Sequence, residues 1–185
     1  MKKIAIVTGG GGFIGSHMVD FLLKKKFKVR VIDNFSGGHK KNLAQHKNNK
    51  LLEIHKFNIL TLKDKKIFKD VDYVFHFAGI GDIVPSIEQP KKYMNVNIQG
   101  TINILELCKS ANIKKFVYAA SSSCYGLASV PTKENHKISN MYPYALSKYL
   151  GEQSALHWSK VYDIPLNSIR IFNAYGTRVR TTGAY

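Results

Sequence analysis

The chain has 185 residues, 44% of them apolar, which is enough to bury a core and excludes a disordered polypeptide. Its formal net charge of +16 comes from 24 lysines against 4 arginines. A nucleic-acid binder would concentrate such charge on one face among arginines and aromatic platforms, so a solvated lysine-rich surface and no nucleic-acid partner are expected.

No apolar run approaches bilayer length, which argues against a membrane partner. Met1-Lys2-Lys3 enters directly into an apolar run with no small-residue cleavage site, so no signal peptide and a cytoplasmic location are expected. Residues Ile4–Val7 are uninterrupted apolar residues, as in a strand buried on both faces. Ile14, Met18, Phe21 and Leu22 then follow at helical spacing, predicting a helix that buries that stripe. Between strand and helix stand glycines at 9, 12 and 15. Such glycines permit an unusual turn, let backbone approach a pyrophosphate, and pack helix tightly on strand. Free N–H groups and the positive dipole end of the helix then receive the anion. The next predicted strand, Val29–Ile32, ends in Asp33, near the spacing of an acid that binds an adenosine ribose. A carboxylate there repels a 2′-phosphate and favours NAD over NADP.

Asn34–Asn42 is a polar loop whose Lys40-Lys41 pair reads as exposed. Leu51–Phe57 predicts a third strand leading to Asn58-Ile59, and Val71–Gly79 a fourth ending in Phe77-Ala78-Gly79. His76 has no partner at metal-ligand spacing and is expected to be structural. Cys108 and Cys124 likewise show no metal or redox spacing, so buried thiols and no metal site are expected. Tyr93–Ala111 predicts a long helix with Ile98, Ile102 and Leu105 inward, and Lys115–Ala120 a fifth strand running into Ser121-Ser122-Ser123-Cys124-Tyr125-Gly126. With a sixth run at Leu166–Phe172, the alternation predicts an α/β fold, a doubly wound parallel sheet flanked by helices. Ligands of such sheets bind beyond the carboxyl ends of the strands, where all these segments sit.

Tyr142–Lys148 opens the last predicted helix, placing Tyr144 and Lys148 on one face. A phenol titrating near 10 is a poor base at neutral pH. A neighbouring ammonium and a cationic nicotinamide favour its phenolate.

The glycine turn behind Thr8, the Ser121–Gly126 segment and Tyr-x-x-x-Lys together resemble the extended short-chain dehydrogenase/reductase superfamily, in its nucleotide-sugar epimerase/dehydratase branch. The resemblance covers nearly the whole chain and implies a Rossmann-type domain over residues 1–185 holding NAD. It implies cofactor contacts from Gly9, Gly12, Phe13, Ile14, Gly15, Asp33, Asn34, Asn58, Ile59, Phe77, Ala78, Gly79, Asn97, Tyr144, Lys148 and Phe172. Asn58 stands where the superfamily usually has aspartate, and Gly79 where it has a second alanine. Asn97 lies in Asn-x-x-Gly-Thr. In the Arg170–Gly176 segment, similar to the family's Arg-x-Phe-Asn-x-x-Gly, Asn173 is implied to touch the substrate. Ser86, Ser122 and Ser123 are implied to do the same. Ser121, Tyr144 and Lys148 carry the implied catalysis: a hydroxyl that holds the reacting sugar hydroxyl, the base, and the base's partner.

Dehydratases of this branch carry Asp-Glu directly after the hydroxyl residue, and decarboxylating members usually keep the glutamate. Ser122 and Ser123 occupy those places, so the resemblance favours an NAD-dependent UDP-sugar 4-epimerase, with a dehydratase or decarboxylase relative as the alternative. Family members continue into a C-terminal substrate part, expected to be absent here. An NAD-binding module without turnover is therefore the other expectation. A homodimer through the helix carrying Tyr144 and Lys148 is also implied.

Overall fold

The structure is a computed structural model that describes residues 2–179. Six parallel strands form one sheet: β1 (Ile4–Thr8), β2 (Lys28–Ile32), β3 (Leu52–His55), β4 (Tyr73–His76), β5 (Lys115–Ser121) and β6 (Leu166–Ile171). Their order is β3-β2-β1-β4-β5-β6, so the chain reverses its direction of travel between β1 and β4. That reversal is the switch point at which doubly wound sheets bind ligands, and the expected Rossmann-like architecture is observed.

Residues alternate faces along β1 and build two cores. Ala5 and Val7 pack with Val19, Leu22, Leu23, Val29 and Val31 on one side. Ile6 packs with Val74, Ile104, Leu105, Phe116 and Tyr118 on the other. Helix α1 (Phe13–Lys24) covers the first side. It buries Gly15, Val19, Leu22 and Leu23, while Phe21 is 55% exposed. Of the expected stripe of Ile14, Met18, Phe21 and Leu22, Leu22 is buried, Ile14 and Met18 are half-buried and Phe21 turns outward, so the buried face is centred one position further along. The cause lies at Gly15, where a Cβ would run into the Gly9 carbonyl oxygen. Only a glycine can face the strand there, and its i+4, i+7 and i+8 neighbours follow it inward.

On the other side, short α2 (Ile83–Glu88) is followed by α3 (Pro90–Met94), a π turn (Asn95–Gln99) and α4 (Gly100–Cys108), which run on from one another. The single long helix expected over 93–111 therefore begins earlier, ends earlier and carries a π turn. Its buried side is Asn97, Thr101, Ile104, Leu105 and Cys108, with Ile98 and Ile102 only half-buried. The polar pair faces inward because both side chains have partners there. The long helix α5 (Pro143–Tyr162) starts with Pro143 at its first position, where the missing N–H costs nothing. Among the described residues no helix is long and apolar enough to cross a membrane.

His76 ties these layers together. Ala78 N–H donates to the Thr8 hydroxyl (3.2 Å), which lies 2.7 Å from His76 Nδ1. His76 Nε2 lies 3.0 Å from the Thr101 hydroxyl, which donates to the Asn97 carbonyl at 2.8 Å. Because Thr101 spends its proton on Asn97, Nε2 carries the imidazole proton and Nδ1 accepts from Thr8. The ring is fully satisfied while neutral, and burial, with the nearby Lys148 charge, lowers its pKa to about 3. The unfolded chain takes up that proton near 6.5, so stability falls as pH drops from about 6.5 toward 3. The whole effect amounts to about 5 kcal/mol. An NMR titration should find His76 neutral at pH 5, and the unfolding free energy should decline below about pH 6.5.

Candidate active site

The glycine turn closes on itself. Gly9 has φ +69°, a conformation that suits glycine, and its carbonyl accepts from Gly12 N–H at 3.0 Å. Gly12 caps α1 without a side-chain acceptor, so the first-turn N–H groups of Phe13 and Ile14 are offered to an external anion. Asp33, at the end of β2, is 7% exposed and accepts from Gly11 N–H (2.8 Å) and Phe35 N–H (2.7 Å). Each carboxylate oxygen keeps a further lone pair for a hydroxyl. The loop beyond folds over the turn: His39 N–H and the Asn42 side-chain amide both donate to the Gly11 carbonyl at 2.9 Å. Asn34 is exposed and accepts from Ser36. These groups form a backbone cradle beside an acid, which fits a dinucleotide.

Asn58 is exposed and accepts from Leu60 N–H at 3.0 Å. Ile59 is 6% exposed and points at Gly100, where a Cβ would come within 2.5 Å of its terminal methyl. Its side chain therefore belongs to the core, and any ligand contact falls to its backbone. Phe77 and Ala78 hang on Thr8 through their N–H groups. A Cβ at Gly79 would lie 2.9 Å from Asn97 Oδ1. Asn97 is buried with its amide fully engaged: Oδ1 accepts from Ile80 N–H, while Nδ2 donates to the Ile80 carbonyl and the Ser147 hydroxyl. It staples the loop after β4 to α5, presenting that loop rather than its own side chain.

Ser121 and Tyr144 come together across the site. Ser121 ends β5 and Tyr144 lies in the first turn of α5, with the phenol 3.4 Å from the Ser121 hydroxyl. Ser121 and Ser123 share a hydroxyl–hydroxyl bond of 2.7 Å, while Ser122 is half-buried beside them. Lys148 places its ammonium 4.6 Å from the centre of the Tyr118 ring. Burial pulls its pKa down to about 8, opposed by the Glu152 carboxylate one turn further along α5. Burial likewise pushes the Tyr118 phenol and the Cys108 thiol well up, leaving both as neutral packing groups.

Two substrate-binding expectations fare differently. Ser86 is 0% exposed and donates to the Ile83 carbonyl, so it lies inside and presents nothing to a ligand. It stabilises the first turn of α2 instead. Asn173 is exposed, next to Phe172, which is 60% exposed and stacks on Tyr125. Asn42, Asn103 and Glu152 carried no role in the sequence motifs. Asn103 holds the carbonyls of Ile59 and Leu62 at 2.6 and 2.9 Å. Each of the three is a polar residue within a helical stretch, which was the available signal. A cavity of about 470 Å³ lined by Leu60, Gln89, Pro90, Asn95 and Val96 lies off this cluster. Among the described residues no group of His, Cys, Asp or Glu could hold a metal ion.

The chain matches the NAD dependent epimerase/dehydratase family over residues 5–184. It is 39% identical over 176 residues to a putative UDP-glucose 4-epimerase of Methanocaldococcus jannaschii, covering 94% of this chain and 56% of that protein. A UDP-N-acetylglucosamine 4-epimerase from Methanobrevibacter ruminantium M1, solved with UDP-N-acetylmuramic acid, superposes with a TM-score of 0.90 at 36% identity. That likeness covers 96% of this chain and 56% of the other. A UDP-glucuronic acid 4-epimerase from Bacillus cereus, solved with UDP-glucuronic acid and NAD, gives a TM-score of 0.91 at 32% identity, covering 96% and 59%. The chain thus spans little more than half the length of these relatives.

The buried ammonium carries a stability signature. Between about pH 8 and 10.5 the unfolded chain keeps the Lys148 proton and the folded protein does not, so stability rises through that window. Lys148→Met should stabilise the fold at pH 7 by up to about 3 kcal/mol and flatten this rise. Thermal melts of both proteins at pH 7 and pH 10 read the difference.

Proposed function

The chain belongs to the NAD dependent epimerase/dehydratase family, and on that premise we propose that it holds NAD and serves a UDP-sugar 4-epimerase. The observation that carries this is the Ser121–Tyr144 hydroxyl pair at 3.4 Å, between the carboxyl end of β5 and the helix that also brings Lys148. Catalytic hydrogen bonds are often this long before substrate binds and tighten afterwards.

Bound NAD would supply a hydride acceptor that returns the hydride within the same turnover. The chain's own residues do the rest. The amides of Phe13 and Ile14 receive the pyrophosphate, and Asp33 accepts from the adenosine ribose. Ser121 donates a hydrogen bond to the C4 oxygen of the sugar, whose own proton is left for Tyr144. Tyr144 removes the hydroxyl proton as a phenolate and gives it back after the sugar has turned over. The Lys148 ammonium lies on the same face of α5 and favours that phenolate. Dehydration would need an acid and a base beside Ser121. The serines at 122 and 123 offer neither, which supports epimerisation over the dehydratase alternative.

The relatives named above include 4-epimerases of several UDP-sugars, which supports a UDP-linked substrate without choosing the sugar. Leu146, Leu150 and Leu156 remain exposed along α5 and support pairing with a second copy through this helix. That this chain holds NAD without turning over sugar is the second proposal.

Titration calorimetry with NAD, then with UDP-glucose, separates these. NAD is expected to bind, and Gly15→Ala to weaken it at least about tenfold by forcing the Gly9 carbonyl aside. Binding of NAD but not of UDP-glucose favours the module, whereas loss of NAD binding altogether overturns both proposals. Where turnover is measurable, Tyr144→Phe should lower kcat by about 10²–10⁴-fold and leave NAD affinity unchanged.

A further inference from the structure

Glu152 continues the line of Tyr144 and Lys148, again four residues on, so α5 turns three functional groups toward the same side. It is 4% exposed, and a buried carboxylate must be compensated. Compensation comes from β6. Ser168 donates to Oε1 at 2.6 Å, and Arg170 Nε donates to Oε2 at 3.0 Å and to Oε1 at 3.2 Å. The far end of the same guanidinium reaches the turn after β5. Arg170 Nη1 donates to the Tyr125 hydroxyl at 2.7 Å and to the Glu134 carbonyl at 3.2 Å, with its central carbon 4.9 Å from the Tyr125 ring centre. The Tyr125 ring in turn stacks on Phe172, with centres 6.5 Å apart and planes 28° apart.

One ion pair therefore links three of the segments that bring candidate residues to the reacting end of the site. Helix α5 brings Tyr144 and Lys148, the turn of residues 122–125 follows Ser121, and β6 leads to Phe172. We infer that Glu152 and Arg170 are a positioning pair, fixing the spacing of Ser121, Tyr144 and Phe172 around the nicotinamide end of the cofactor. This rests on the NAD site proposed above. Neither residue touches the reacting atoms; they act through Tyr125 and through the placement of α5 against β6. Net stability does not account for them, because two apolar side chains of similar volume stabilise a core as well as or better than a buried ion pair. What an apolar pair lacks is direction. The guanidinium holds Tyr125 and Glu152 at opposite ends of one rigid plane.

The test uses Glu152→Gln, Arg170→Lys and the double variant Glu152→Gln/Arg170→Met, which leaves no charge orphaned and so keeps the fold if the single changes do not. Two readouts separate positioning from mere support. Calorimetry compares NAD with ADP-ribose, which lacks the nicotinamide. The double variant should lose about tenfold or more in NAD affinity while ADP-ribose stays within about twofold, and Arg170→Lys should recover part of the loss. Amide hydrogen exchange should quicken in residues 122–140 and 172–176 and stay unchanged in β1, β2 and α1. Unchanged NAD affinity and exchange overturn the inference, as does equal loss of both ligands with faster exchange throughout. If the unaltered chain binds neither ligand, the cofactor proposal fails, and the exchange pattern alone then decides whether the pair holds these segments.

Discussion

The close approach of α1 to β1, glycine against carbonyl, is the contact on which the rest of the site depends. Gly15 sits where any side chain would strike the Gly9 oxygen. That contact fixes how near the helix comes to the sheet and where its N-terminal amides point. It also decides which face of α1 is buried, because Val19, Leu22 and Leu23 must follow Gly15 inward. The anion cradle and the first core are thus one steric fact seen from two sides.

From that contact the polar interior extends as a chain of directed bonds. Thr8 at the end of β1 accepts from Ala78 and meets His76, which meets Thr101, which donates to Asn97. Asn97 then clamps the loop after β4 to Ser147 on α5, within one turn of Tyr144 and Lys148. Each of these groups is buried and each is paired, so the network prescribes one arrangement instead of merely filling space. The π turn that contains Asn97 is a local departure from helical regularity of a kind often found beside functional sites.

Charge is divided in the same spirit. Lysines spread over the surface give the chain its +16. Lys148, drawn inward, sits over an aromatic ring with the Glu152 carboxylate acting on it from the next turn of α5. Its lowered pKa records the cost of keeping an ammonium where it can influence a phenol. Glu152 is in turn held by Arg170, so the inner charges alternate in sign from α5 to β6.

By itself the sequence determined the order of strands and helices, the glycine turn, Asp33 at the end of β2, and Tyr144 and Lys148 on one helix face. All of these follow from spacings shorter than a few helical turns, which covalent geometry and periodicity set. Tertiary structure decided what spacing cannot express. It turned α1 by one position through the Gly9–Gly15 contact, sent Ser86 and the Ile59 side chain inward, and spent the whole amide of Asn97 on Ile80 and Ser147. It also paired Glu152 with an arginine on another element and tied both to Tyr125. A polar residue at a helical position looks the same in sequence whether water or a partner awaits it. Only the packing of elements distant along the chain brings the partner, and with it the residue's role.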